Sequence, residues 1–169
     1  MIHRRLEQLE KDGRPIRTGV IGAGTFGTQI ITQACRMAGM RISAVAELDS
    51  KRARAAFARG GVAEERITEA ETPEAIDRAI AQDRPVVTSS ADALIASGVD
   101  VVIEATARNR SRAELQKHID AGAKRVVVCV PQTDEVDLTL IRGVNDHELT
   151  PEHKIVSMGS CTANAVTPV

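Results

Sequence analysis

Two short stretches hold residues whose types and spacing could do chemistry. Gly22, Gly24 and Gly27 form a G-x-G-x-x-G pattern, with Thr25 and Phe26 between the last two glycines, directly after the apolar run IRTGVI. A strand that runs into such a turn and then into a helix can hold a pyrophosphate. The first glycine permits the turn, the second lets the backbone approach the phosphates, and the third lets helix and strand pack closely. The helix start adds free N–H groups and a partial positive charge. Glu47 ends the next apolar run, ISAVAE, twenty residues beyond Gly27. A carboxylate there can accept hydrogen bonds from ribose hydroxyls and would repel a 2′-phosphate, so the expected cofactor is NAD rather than NADP. Asp49 competes for the same role.

The second stretch is SMGSCTANAV, with Cys161 where a strand gives way to a helix. A thiolate at a helix start is stabilised by backbone N–H groups and the helix dipole. Ser160 and Thr162 add hydroxyls that could hold an oxyanion or a phosphate. A thiol placed beside a nicotinamide could take an aldehyde through a thiohemiacetal to a thioester. The competing account is a helix start with Ser160 as its cap and Cys161 inert.

These residues need elements to position them. Residues 3–12 read as a short amphipathic helix with Leu6 and Leu9 on one face, ended by Pro15. IRTGVI is a buried strand. Residues 26–38 fit a helix whose inner stripe is Phe26, Ile30, Ile31, Ala34 and Met37, stopped by Gly39. MRISAVAE is a strand, 49–58 a helix opened by Asp and Ser, and 60–72 polar and irregular. Thr72-Pro73 starts a helix to about Gln82, PVVTS is extended, and 91–96 is helical. DVVIEAT is a strand, and SRAELQKHIDAGA is a helix with Ser111 and Glu114 as a capping box. KRVVVCVP is a buried strand, VDLTLIRGVN alternates like a more exposed one, and KIVSMGS is the last.

This order predicts an α/β fold of Rossmann type: a doubly wound, mostly parallel sheet with helices on both faces. Ligands of such sheets lie beyond the carboxyl ends of the strands. That edge includes Thr106 and Ala107, with Thr106 either on the nicotinamide-ribose side or a solvent-facing turn residue, and also Cys129, which reads as a small core residue.

Composition narrows the function. A net charge of −1 and a pI of about 6.4 give no case for nucleic acid or an anionic membrane. Phe26 and Phe57 are the only aromatics, so there is no stacking platform for single strands, and the core must be aliphatic. Three widely spaced cysteines form neither a disulfide framework nor a zinc pattern, so no metal site is expected. No signal-peptide core and no run of membrane-spanning length is present, and a cytoplasmic setting is expected.

From Gly98 onward the chain resembles the cofactor domain of glyceraldehyde-3-phosphate dehydrogenases and the similar erythrose-4-phosphate dehydrogenases. The likeness rests on GVDVVIEAT, LQKHIDAGAKRVVVCVP, GVND, LTPEHKIVS and SCTAN with TPV. The resemblance implies that Cys161 is the nucleophile and that Ser160 and Thr162 contact phosphate, with a phosphorylated aldehyde as substrate and a homo-oligomeric assembly. Ala163 replaces the family's second Thr, and Ala107 replaces the usual Gly. The first part, RRLEQLEKDGRPIRTGVIGAGTFGTQIITQA, VAELDSKRARAAF and DRPVVTSSADALIASGVDVVIEAT, resembles homoserine-dehydrogenase-like NAD(P) oxidoreductases that carry a SAF domain. Thr28 stands where the aldehyde enzymes have an Arg. The chain therefore reads as a mosaic crossing near residues 98–112.

On this reading residues 1–160 form the NAD(P)-binding domain, and 161–169 are the start of a catalytic-domain helix, cut short. The family's catalytic His and its substrate-phosphate Arg and Thr lie downstream of the cysteine. His3, His118, His147 and His153 have charged neighbours and read as exposed, poor candidates for the base. The isolated chain is expected to bind NAD with little turnover. The alternatives are a homoserine-dehydrogenase-like oxidoreductase without a covalent step, and a non-catalytic dinucleotide-sensing or pairing module.

Overall fold

A parallel sheet with helices on each face organises the chain, as its alternating strand and helix signals require. The computed structural model describes residues 2–167; Pro168 and Val169, the end of the TPV motif and of the 161–169 segment, lie outside the described residues. The strands are β1 (Ile16–Ile21), β2 (Met40–Ala46), β3 (Thr68–Glu69), β4 (Val86–Thr88), β5 (Val101–Glu104), β6 (Val126–Val128), β7 (Leu138–Thr139) and β8 (Ile155–Ser157). The helices are α1 (Ile2–Lys11), α2 (Thr25–Ala34), α3 (Ser50–Arg59), α4 (Pro73–Ala81), α5 (Ala91–Ala96), α6 (Arg112–Asp120) and α7 (Cys161–Val166). The sheet order is β3-β4-β2-β1-β5-β6-β8-β7, and every pair is parallel.

The chain passes from β1 to its neighbour β2, on to the edge strand β3 and back one place to β4, then returns past β1 to β5 and winds the other way. The direction reverses between β1 and β5, where such folds place a ligand. Side chains alternate between two cores, as period-2 strands require. Val20, Val45, Val87 and Ile103 join Ile31 and Ala34 of α2 and Ala53, Ala56 and Phe57 of α3. Ile21, Ala46, Val86 and Val102 join Ile76 of α4, Leu94 of α5 and Leu115 of α6 on the opposite face. Phe57, wholly buried, is the one aromatic in these cores.

The caps fall where short polar side chains stand. Asp49 accepts from Lys51 N–H, Thr72 from Ala75 N–H and Ser90 from Ala93 N–H, and Ser111 with Glu114 makes the reciprocal capping box. Each satisfies a helix-start donor that would otherwise lack a partner.

Four expectations are corrected. Helix α2 stops at Ala34 instead of running to residue 38, and residues 35–39 form turns before β2. Phe26 is 55% exposed and is no part of the inner stripe, which is Gly27, Ile31 and Ala34. Phe26 sits in the first turn beyond the sheet edge, where no core lies beneath it. The 60–72 stretch, expected to be irregular throughout, supplies the two-residue edge strand β3, while the alternation of VDLTLIRGVN yields only the two residues of β7. Edge strands pair on one side only, so their register leaves a weak sequence signal.

Candidate functional site

At the carboxyl end of β1 the chain turns through Gly22, Ala23 and Gly24 into α2. Gly22 has φ +94°, and a Cβ on it would meet Thr106 Cγ2 at 2.9 Å. A Cβ on Gly27 would lie 1.9 Å from the Gly22 carbonyl oxygen. Both glycines are therefore demanded by the fold itself. Gly24 differs: its φ of −69° suits any residue, and a Cβ there would meet only Arg52 Nη2, at 3.8 Å. No packing within the chain accounts for glycine at that position, whereas close approach of a phosphate does. Gly24 is also the cap of α2, with no side-chain hydrogen bond, so the first-turn N–H groups of Thr25 and Phe26 face outward uncapped. The cradle fits a dinucleotide pyrophosphate.

Glu47 follows β2, the strand next to β1, on the same sheet edge. Its Oε2 accepts from Ala23 N–H at 2.8 Å and its Oε1 from Asp49 N–H at 3.3 Å. The carboxylate thus braces the glycine turn and keeps further lone pairs for ribose hydroxyls. Asp49, the competitor for that role, is occupied as the α3 cap. Arg52, which sequence reasoning missed, reaches the same place: its Nη1 lies 4.0 Å from Glu47 Oε1 and its Nη2 donates to Ala23 O at 3.4 Å. Its signal was faint, one arginine among three in α3.

Thr106 follows β5, on the other flank of β1. Its N–H and its hydroxyl both donate to Glu104 Oε1, at 2.8 and 2.5 Å. Asn109 Nδ2 donates to Glu104 Oε2 at 2.9 Å, and His118 Nε2 meets the same oxygen at 3.2 Å. Burial raises the carboxyl pKa of Glu104, but the bonds from His118, Thr106 and Asn109 outweigh it and hold the group below the usual carboxylate range. His118, expected at the surface, is buried at 8% exposure. Its charged neighbours in sequence, Lys117 and Asp120, point elsewhere on the helix, while residue 118 falls on the inner face with Leu115.

Ala107, where the resembling family has Gly, sits at φ +62°. A Cβ in this left-handed region is strained. Ala107→Gly is expected to stabilise the chain by about 1 kcal/mol, after allowing for glycine's greater unfolded-state entropy. Urea unfolding of the two proteins measures it.

Further along the edge, Cys129 follows β6 and is half-buried. Burial, with the nearby Glu104 charge, pushes its thiol up to about 11, and burial alone does the same for Cys35. Cys161 is exposed and opens α7 just past β8. Ser160 caps that helix, its Oγ accepting from Ala163 N–H at 3.0 Å. Asn164 Nδ2 donates to Met158 O and Ser160 O, tying the helix to the strand end. Thr162 is exposed in the first turn.

Because all strands run parallel, the sheet brings Gly22, Gly24, Thr25, Phe26, Gly27, Glu47, Thr106, Ala107, Ser160, Cys161 and Thr162 to one edge. β8 lies three strands from β1, roughly 14 Å at ~4.8 Å per strand. A concavity of about 940 Å³ opens at the opposite edge. Its Arg17, Arg41 and Arg66 are paired with Asp100, Glu10 and Asp83, so it is an ion-paired floor and not part of this site. Among the described residues no cluster of His, Cys, Asp and Glu could hold a metal ion, and no helix is long and apolar enough to cross a membrane.

Residues 17–148 match the family model of the 3-hydroxyacyl-CoA dehydrogenase NAD-binding domain. A stretch of 74 residues, 43% of this chain, is 49% identical to a glyceraldehyde-3-phosphate dehydrogenase of Thermotoga maritima, covering 21% of that protein. A stretch of 72 residues is 44% identical to the glyceraldehyde-3-phosphate dehydrogenase of Mycobacterium bovis, again 43% of this chain and 21% of that protein. The matched part thus spans about a fifth of the length of these curated relatives.

Proposed function

We propose, from the premise that the chain belongs to the 3-hydroxyacyl-CoA dehydrogenase NAD-binding-domain family, that it serves a phosphorylating aldehyde dehydrogenase. It is the NAD-binding domain of an oxidoreductase. The finer reading is carried by one observation: an exposed cysteine follows the carboxyl end of β8, on the sheet edge that holds the glycine cradle. The partial likeness to two glyceraldehyde-3-phosphate dehydrogenases supports it.

In this proposal Gly24, Thr25 and Phe26 hold the pyrophosphate through the α2 N-terminus, Glu47 takes the adenosine ribose, and Thr106 and Ala107 border the nicotinamide half. NAD, when bound, supplies the hydride acceptor. Cys161 Sγ forms a C–S bond with the carbonyl carbon of a phosphorylated aldehyde, and inorganic phosphate later breaks that bond. Ser160 and Thr162 hydroxyls steady the phosphate. A base must take the proton, a contribution of about 10²–10⁴-fold. His153 precedes β8 and so stands at the far end of that strand from Cys161, and His118 is committed to Glu104. Neither of these two histidines is placed to act as that base.

Iodoacetamide tests the thiol. At pH 8 Cys161 is expected to be alkylated at least about tenfold faster than Cys35 or Cys129, whose buried thiols remain protonated. Saturating NAD should slow that reaction, as peptide mapping would read. Equal rates at the three cysteines, or a Cys161 rate indifferent to bound NAD, would sink the covalent route. A second reading, a dehydrogenase acting on a hydroxyl without a covalent step, is favoured by Ser160, whose hydroxyl oxygen is engaged as a helix cap. NAD binding with an unresponsive Cys161 would select it.

A further inference from the structure

A carboxylate that is 0% exposed and a histidine that is 8% exposed sit directly behind the cofactor edge, yet neither can touch a ligand there. Burying a charge is costly unless it is paired and hydrogen-bonded, and Glu104 is given four bonds. Because a carboxylate only accepts, His118 Nε2 must carry the proton it shares with Oε2. Both donors on Oε1 come from one residue, Thr106. Its backbone and hydroxyl are therefore fixed together, which leaves its methyl a single direction. That methyl points at Gly22: the space a Gly22 Cβ would need is filled by Thr106 Cγ2, 2.9 Å away. Arg108 N–H donates to Thr106 Oγ1 at 3.1 Å and closes the turn around it.

We propose that His118 is a positioning residue: through Glu104 it orients Thr106 as the wall of the cradle that receives the nicotinamide half of the dinucleotide. The inference rests on the NAD-binding reading and names a residue on α6, outside the glycine loop. The topology says which half is affected. Glu47 stands after β2 and Thr106 after β5, on opposite flanks of β1, so the adenosine half lies on the β2 side and the distal half over Thr106. A strut that merely braced β5 against α6 would not distinguish the two halves.

The test compares NAD with AMP, which carries only the adenosine side, by calorimetry on the whole chain. His118→Leu withdraws one donor from Glu104 and is expected to weaken NAD about tenfold while AMP stays within about twofold. His118→Gln can place a donor on the same oxygen and should restore most of the NAD affinity. Thr106→Val keeps the side-chain shape, removes the hydroxyl, and should reproduce the NAD-only loss even where the His118→Leu protein fails to fold. Equal losses for NAD and AMP, no loss for either, or an NAD-only loss that Gln does not restore would each overturn the proposal. A wild-type chain that binds neither ligand overturns the cofactor reading itself, whereas failure of this inference alone shows as normal wild-type binding with indifferent variants.

Discussion

Gly24→Ala is expected to leave the chain folded and to weaken NAD at least about tenfold, or 1.4 kcal/mol. The backbone there is extended, at φ −69°, so alanine adopts it without strain, and the added methyl would have only Arg52 Nη2 near it, at 3.8 Å. The stability cost is that of a poorer helix cap, about 1 kcal/mol or less. Gly24→Ser separates the terms further, since serine is a good cap and still fills the phosphate's path. Thermal unfolding should place both variants near the wild type while calorimetry with NAD separates them from it. Unchanged NAD affinity in both would remove the reason for glycine at this position, and with it the strongest physical support for a dinucleotide in the cradle.

Gly27→Ala should do the opposite first. Its Cβ would fall 1.9 Å from the Gly22 carbonyl oxygen, a backbone atom that cannot swing aside. Either α2 lifts from β1 or the turn opens, and both disturb the packing of α2 on a central strand of the sheet. Overpacking of this kind costs about 3 kcal/mol or more, and for a chain of this size the thermal midpoint should fall by about 10 °C. NAD affinity is lost along with it. A variant that melts with the wild type would mean that helix and strand pack less closely than the structure shows. The pair of substitutions would therefore separate the work of two glycines of one motif: Gly27 in the fold, and Gly24 in the binding of a ligand.

Much of this was legible in order along the chain. Period-2 and period-3.6 patterns, glycine punctuation and the caps at Asp49, Thr72, Ser90 and Ser111 are local effects, and local effects are written in neighbouring residues. The glycine turn, Glu47 and Cys161 were also found this way, because parallel winding sends every strand end to one edge. Phe26 was misread for the converse reason. It has the right spacing for a core stripe, but the stripe begins beyond the sheet, where nothing packs. Arg52 gave no signal, since an arginine on an exposed helix turn looks the same whether or not it reaches a neighbouring loop.

The amino-acid sequence by itself determined the doubly wound sheet, the glycine turn at the end of β1 and the thiol at the end of β8, because each depends on the types and spacing of residues close in the chain. Only the tertiary structure decided which residues stand behind that edge. Glu104 and His118 are fourteen positions apart and carry side chains that usually seek water. They are buried because α6 folds back over β5 and turns residue 118 inward, and a buried carboxylate persists only where such donors converge on it.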